Sequence, residues 1–158
     1  MTQKNIEDTM MMNGQFPPAL LVRATVLLLR GLVRFPKDEV GKVVHDADED
    51  FVVFRKVVLE PSNDLPEIPK AIFEVRFQFA RFSEGANRKL SLIPIPLIVA
   101  QPGFRSKTWL TGRQTGTFKG IYEWDTVACA EEYWHSFPMA LMKRRAAEGS
   151  LSRKVWEA

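Results

Sequence analysis

From residue 71 onward His135 is the one side chain whose ordinary pKa lies near neutrality, so it is the first candidate for moving a proton. A lone histidine on a helix is more often structural or exposed than catalytic. Tyr122 adds a phenol that can donate to a developing enolate or phenolate, and Arg105 or Arg81 can hold the charge of such an oxyanion. The stretch "ARFSEGANR" gathers Arg81, Ser83, Asn87 and Arg88, a polar set suited to selecting an acidic molecule. Loop solubility explains the same residues as well.

Other chemistries find little in the sequence. There is no Gly-rich nucleotide fingerprint, so neither flavin nor nicotinamide is expected, and no cofactor is assigned. Cys129 is the only cysteine, which excludes an internal disulfide framework and a cysteine-based zinc site and favours a reducing, cytoplasmic compartment. Nothing nearby marks a base that would make it a thiolate, so an inert thiol is expected. The acidic run "DADED" places Asp46, Asp48 and Asp50 at alternate positions. It lacks the glycine and the distant glutamate of a calcium loop, so it reads as a solvated turn and no metal site is assigned.

Charge is unevenly distributed. Residues 1–70 hold nine Lys/Arg against eleven Asp/Glu, and residues 71–158 hold thirteen against eight. That balance suits an anionic ligand but lacks the dense basic stripe of a nucleic-acid surface, so no nucleic-acid partner is expected.

The elements that must position these groups fall into four stretches. Residues 1–16 are polar, Met-rich and aperiodic, and read as a flexible tail. Residues 17–60 read as a helix followed by a β-hairpin extension. In "PPALLVRATVLLLRGLVRFP" the arginines at 23, 30 and 34 interrupt the apolar residues well short of the roughly 18 needed to span a membrane. Their spacing puts all three on one helical face. The broad apolar face can pack on the domain's own core or a partner subunit, or residues 18–34 can lie on an anionic lipid surface as a peripheral membrane contact. Residues 61–70, with prolines at 61, 66 and 69, read as a linker.

Residues 71–158 have the most regular pattern. "AIFEVRFQFA" alternates Phe73, Val75, Phe77 and Phe79 against Glu74, Arg76 and Gln78, as a strand with one apolar side does. A short helix near 84–92, a break at "IPIP" and a further helical turn precede strands near 103–110 and 117–124. Asp125 is placed as the N-cap of a helix starting at Thr126, Pro138 kinks or restarts that helix, and "SLSRKVWEA" ends the chain as a strand. The order is β-α-β-β-α-β, which predicts an α+β, ferredoxin-like sandwich with helices on one face of an antiparallel sheet. The sheet face bearing Glu74, Arg76 and Gln78 is then exposed unless something covers it, and an identical subunit is the simplest cover.

On "PGFRSKTWL" entering the second strand of this unit, "GIYEWD" ending the third and "AEEYWHS" on the second helix, the chain resembles the dimeric α/β-barrel superfamily, and within it the small cofactor-free monooxygenases of the antibiotic biosynthesis type. The resemblance implies a homodimeric barrel and a cavity between sheet and helices. It implies a small hydrophobic substrate, aromatic or polyketide-like, in secondary metabolism. The cavity would be lined by Phe73, Phe77, Phe79, Tyr122, Trp124, Tyr133 and Trp134, with Arg81 and Asn87 at its mouth and Trp109 beside it. In the strand pair 102–125, Tyr122 and Trp124 are expected toward the helices, and Arg105, Lys107 and Trp109 on the other register. Cyclisation, isomerisation or simple binding of a lipid-like ligand fit the same scaffold.

Overall fold

The computed structural model describes residues 17–60 and 68–158. The tail expected at 1–16 and most of the expected linker lie outside the described residues. In chain order the elements are α1 (Pro17–Leu29), β1 (Val33–Arg34), β2 (Val43–His45), β3 (Asp50–Leu59), β4 (Ala71–Phe77), α2 (Glu84–Leu90), α3 (Ile95–Val99), β5 (Phe104–Gly112), β6 (Phe118–Trp124), α4 (Val127–Trp134), α5 (Phe137–Arg145) and β7 (Ser152–Glu157).

The strand with the strongest alternation sits inside the sheet. β4 lies between β6 and β7, and β6 pairs on its other side with β5, so the order β5-β6-β4-β7 carries the ferredoxin-like arrangement, with every pairing antiparallel. Ala71, Phe73, Val75 and Phe77 share one buried side with Phe118, Tyr122 and Trp124 of β6, and α3, α4 and α5 cover that side. The sheet does not stop at β5. β3 pairs antiparallel with β5 from Val58↔Ser106 to Phe51↔Gly112, so the N-terminal hairpin extends the same sheet, and β1 and β2 pair with the outer edge of β3.

The helices follow their caps. Ser83 accepts from the backbone of Ala86 and starts α2, and the two prolines of "IPIP" divide α2 from α3. Thr126, not Asp125, caps α4 by accepting from the Cys129 backbone. Asp125 lies one residue too early and instead pairs with Arg105 at 2.9 Å. Ser136 restarts the chain into α5, with Pro138 in its first turn, where a missing N–H costs nothing. Gly103 holds the entrance to β5 with φ of +76°, and a Cβ there would stand 2.5 Å from the Cys129 sulfur, so only glycine fits between strand and helix.

The opposite face is partly covered from within the chain. Glu74 is 8% and Lys119 3% exposed, because the acidic β2–β3 turn folds across them. Asp46 accepts from Lys119 at 2.7 Å and from Arg76, and Glu74 accepts from Arg76 at 2.7 Å. The turn expected to be merely solvated is therefore a lid on the charged side of β4 and β6. Glu49 reaches the other way and accepts from the backbones of Gln114 and Thr115, which pins the β5–β6 turn. Gln78 lies beyond the end of β4 and donates to Thr117. What stays uncovered on this face is a smaller strip around Ile72, Ile121 and Trp156, the last 42% exposed.

α1 divides its apolar residues. Leu20 and Ala24 are buried in the helix-side core and Leu27 packs against it, α1 lying against α3. Leu21, Val22, Val26, Leu28 and Leu29 remain exposed. No described helix is long and apolar enough to cross a membrane.

Candidate functional site

A cavity of about 340 Å³ opens between the sheet and the helices. Its floor is Phe77 on β4, Trp109 on β5 and Phe118 on β6, and its walls come from Leu90, Leu97 and Ile98 on one side and Tyr133, Leu141 and Met142 on the other. An apolar shape of this kind takes an apolar molecule, and its few polar groups fix the orientation.

The charged groups of the described lining, Lys107, Arg144 and Arg145, are all cationic. Lys107 lies mid-strand on β5, opposite Val57 of β3 and Tyr122 of β6, and its side chain enters the cavity. It is 2% exposed. Its ammonium nitrogen stands 4.4 Å from the centre of the Trp109 ring and 4.5 Å from that of Tyr122. No carboxylate lines the cavity among the described residues. Burial, with the Arg145 and Arg55 charges added, pushes the Lys107 pKa well below the usual lysine range. Arg145 is fixed at the mouth by the side-chain oxygen of Asn87 at 2.9 Å and lies over the Phe79 ring. Arg55 donates to Ser91 and to the Arg88 carbonyl, and Ser91 reaches the cavity wall.

Two phenols accompany Lys107, Tyr133 in the cavity wall and Tyr122 beneath it. Tyr133 donates to the Tyr122 hydroxyl at 3.2 Å, and the Tyr122 hydroxyl faces the Met142 sulfur at 3.9 Å. Burial raises the pKa of both, most strongly that of Tyr122, so they stay protonated donors at neutral pH. Phe82 stands at the mouth with φ of +69°, a left-handed conformation unusual for a large side chain, and is 73% exposed.

Of the residues singled out from the sequence, Phe77, Phe79, Trp109 and Tyr133 line the cavity. Tyr122 lies one layer behind it. Phe73 and Trp124 are buried in the aromatic core, Phe73 edge-on to Tyr122 and Trp124 stacked on it. Trp134 lies outside under Lys143, whose nitrogen is 3.7 Å from the ring centre. Arg81 is exposed, and Asn87 is buried, with its amide turned to the carbonyls of Arg81, Phe82 and Ser83.

Three expectations are corrected. His135 is the exposed C-cap of α4 and does not reach the cavity. Arg105 occupies the bulge between Phe104 and Ser106 and is committed to Asp125. Lys107 and Trp109 do not lie on the far register: they pair with Tyr122 and Gly120 and share the helix side. Lys107, Arg145, Arg55 and Ser91 were missed as site residues. The signal for Lys107 was its spacing of two from Trp109, which puts both on one side of a strand.

No protein-family model matches this sequence, and no curated protein does. Among solved structures, the haem-degrading enzyme LmHde from Listeria monocytogenes is similar, with a TM-score of 0.52 at 9% identity over 80% of this chain and 97% of that one. An uncharacterised ferredoxin-fold protein related to antibiotic biosynthesis monooxygenases, also from Listeria monocytogenes, gives 0.51 at 13% identity over 74% and 69%. An anthrone oxidase-like protein gives 0.50 at 16% identity over 69% of this chain, which spans 54% of that protein's length. At these identities the likeness is one of fold, and that fold is the ferredoxin-like one found in relatives of the antibiotic biosynthesis monooxygenases.

Proposed function

We propose that the chain is a small cofactor-independent, monooxygenase-like enzyme acting on a hydrophobic aromatic or polyketide-like molecule. The observation that carries the reading is the apolar cavity whose charged lining groups are cations and whose described lining includes no acid. Such a site favours a flat apolar body with an acidic hydroxyl or enol. The deprotonated substrate then supplies the electrons: two substrate hydrogens and one oxygen atom leave as water, and the second oxygen of O₂ becomes the new carbonyl. The protein's part is to exclude water, orient the ring and hold the anion. The described lining contains no imidazole that could ligate a haem iron, so no step is routed through haem.

The test is oxygen uptake with anthrone as the substrate. One quinone formed per O₂ consumed supports the reading, and His135→Ala keeps its rate because that side chain lies outside. Conversion of an enolic substrate at an unchanged rate without oxygen overturns the oxygenase in favour of a cyclase or isomerase.

The exposed Leu21, Val22, Val26, Leu28 and Leu29 of α1 favour a second reading, a non-catalytic binder of a lipid-like ligand at a membrane surface. Co-sedimentation with anionic liposomes, lost on replacing Arg23 and Arg30 with Glu, supports it; equal pelleting of the variant argues against it. The strip around Ile72, Ile121 and Trp156 is the face on which a homodimer is proposed, with Trp156→Glu expected to yield a monomer in native mass spectrometry.

A further inference from the structure

A buried lysine without an acid beside it is costly to keep, since desolvation penalises the ammonium and nothing pays it back. Lys107 is in that position. It is 2% exposed, and the groups facing it are the aromatic rings of Trp109, Phe118 and Tyr122, the Tyr133 phenol, and the cations of Arg55 on β3 and of Arg145 on α5. A strand held by neighbours on both sides fixes its backbone, so the amine is presented from a rigid element.

We propose that Lys107 is the proton acceptor and oxyanion partner of this site, and that its ligands are apolar phenols and enols. This deepens the oxygenase reading and rests on the same cavity. In the step, the amine lone pair takes the hydroxyl proton. The O–H bond breaks with its electrons left on oxygen, a new N–H bond forms, and an ammonium–oxyanion pair results. No oxidant is consumed.

The surroundings favour that pair over either separated charge. The ring faces of Trp109 and Tyr122 accept the ammonium as it forms. Arg145 and Arg55, unfavourable to a lone Lys107 ammonium, are favourable to an anion beside it. Burial and the Arg145 and Arg55 charges shift Lys107 toward the neutral amine, the form able to accept a proton. A purely structural lysine would have a carboxylate beside it, and none lines this cavity among the described residues.

The probe is 4-nitro-1-naphthol, whose phenolate has its own visible absorption band, titrated without oxygen against wild type and Lys107→Met. Wild type should bind it and shift its apparent acid constant by roughly tenfold or more toward the phenolate, about one pKa unit. Lys107→Met should stay folded, bind the neutral phenol and show no such shift. Failure of wild type to bind the probe, binding without a phenolate band, or an equal shift in the variant each overturns the proposal. Oxygen uptake with anthrone separates the two readings. A phenolate band in wild type with no oxygen consumption leaves Lys107 as the base and removes the oxygenase. Equal oxygen consumption in Lys107→Met with no band in either protein does the reverse.

Discussion

The side-chain oxygen of Asn87 accepts from Arg145 at 2.9 Å, and this bond ties α2 to the last turn of α5 at the cavity mouth. The same side chain donates its amide hydrogens to the carbonyls around Arg81 and Ser83, so one buried residue closes the loop and fixes the cation. Asn87→Leu, of similar size, leaves both the carbonyls and the guanidinium short of partners. It should cost on the order of 1–3 kcal/mol in urea unfolding and weaken anionic ligands more than neutral ones of the same shape. Equal weakening of both would mean that Arg145 carries no part of the recognition.

Phe82 supplies a second prediction at the same mouth. Its left-handed backbone costs on the order of 1 kcal/mol for a residue with a Cβ, and its ring is mostly exposed. Phe82→Gly should therefore leave the melting temperature unchanged or raise it, while loosening ligands that the ring would cover. A fall in stability of more than about 1 kcal/mol would show that the ring packs more than its exposure implies.

On the opposite face, the hydrogen bond from Lys119, with the Ala47 backbone bond and the Lys119 and Arg76 charges added, lowers the Asp46 pKa from 3.8 to about 2. A depressed folded pKa gives stability that is present above the unfolded value and is lost as pH falls through the folded one. Wild type should therefore lose stability between about pH 4 and pH 2, and Asp46→Asn should be flatter across that window. At neutral pH the variant should cost on the order of 1 kcal/mol, since the pair remains partly open to solvent. Parallel acid melting curves for the two proteins would remove Asp46 from the account.

The fold was legible because its signals are local and mutually consistent. The alternation in β4, the proline break between α2 and α3, and the restart at Ser136 and Pro138 each leave a mark in the sequence. The site was less legible for one identifiable reason. β5 carries a bulge at Arg105, so counting by twos from Phe104 leads to Ser106 when the side chain that shares its face is Lys107. One extra residue exchanged the two sides and concealed the amine. His135 shows the complementary case. It lies two residues from Tyr133, about 200° around a helix, so a buried Tyr133 turns His135 to solvent. The pairing of β3 with β5 joins residues separated by the whole of β4 and its crossover, and no local pattern announces it.

Lys107 makes the sharpest stability prediction because its sign differs from that of the phenols beside it. Its folded pKa is lowered from 10.5, so between that lowered value and 10.5 the unfolded chain binds the extra proton, and stability rises with pH. Tyr122 and Tyr133 have raised folded values, so their contribution is intact below pH 10 and is lost as pH rises beyond it. Wild type should therefore gain stability as pH rises from the lowered Lys107 value toward about pH 10 and lose it above. Lys107→Met removes the rising limb, keeps the falling one, and at pH 7 should be more stable than wild type by on the order of 1–2 kcal/mol, a few degrees in melting temperature. That variant would be sturdier and unable to ionise a phenol, the trade expected of a group retained for chemistry. A Lys107→Met protein less stable than wild type at pH 7, with its rising limb intact, would mean that the amine has a structural partner after all.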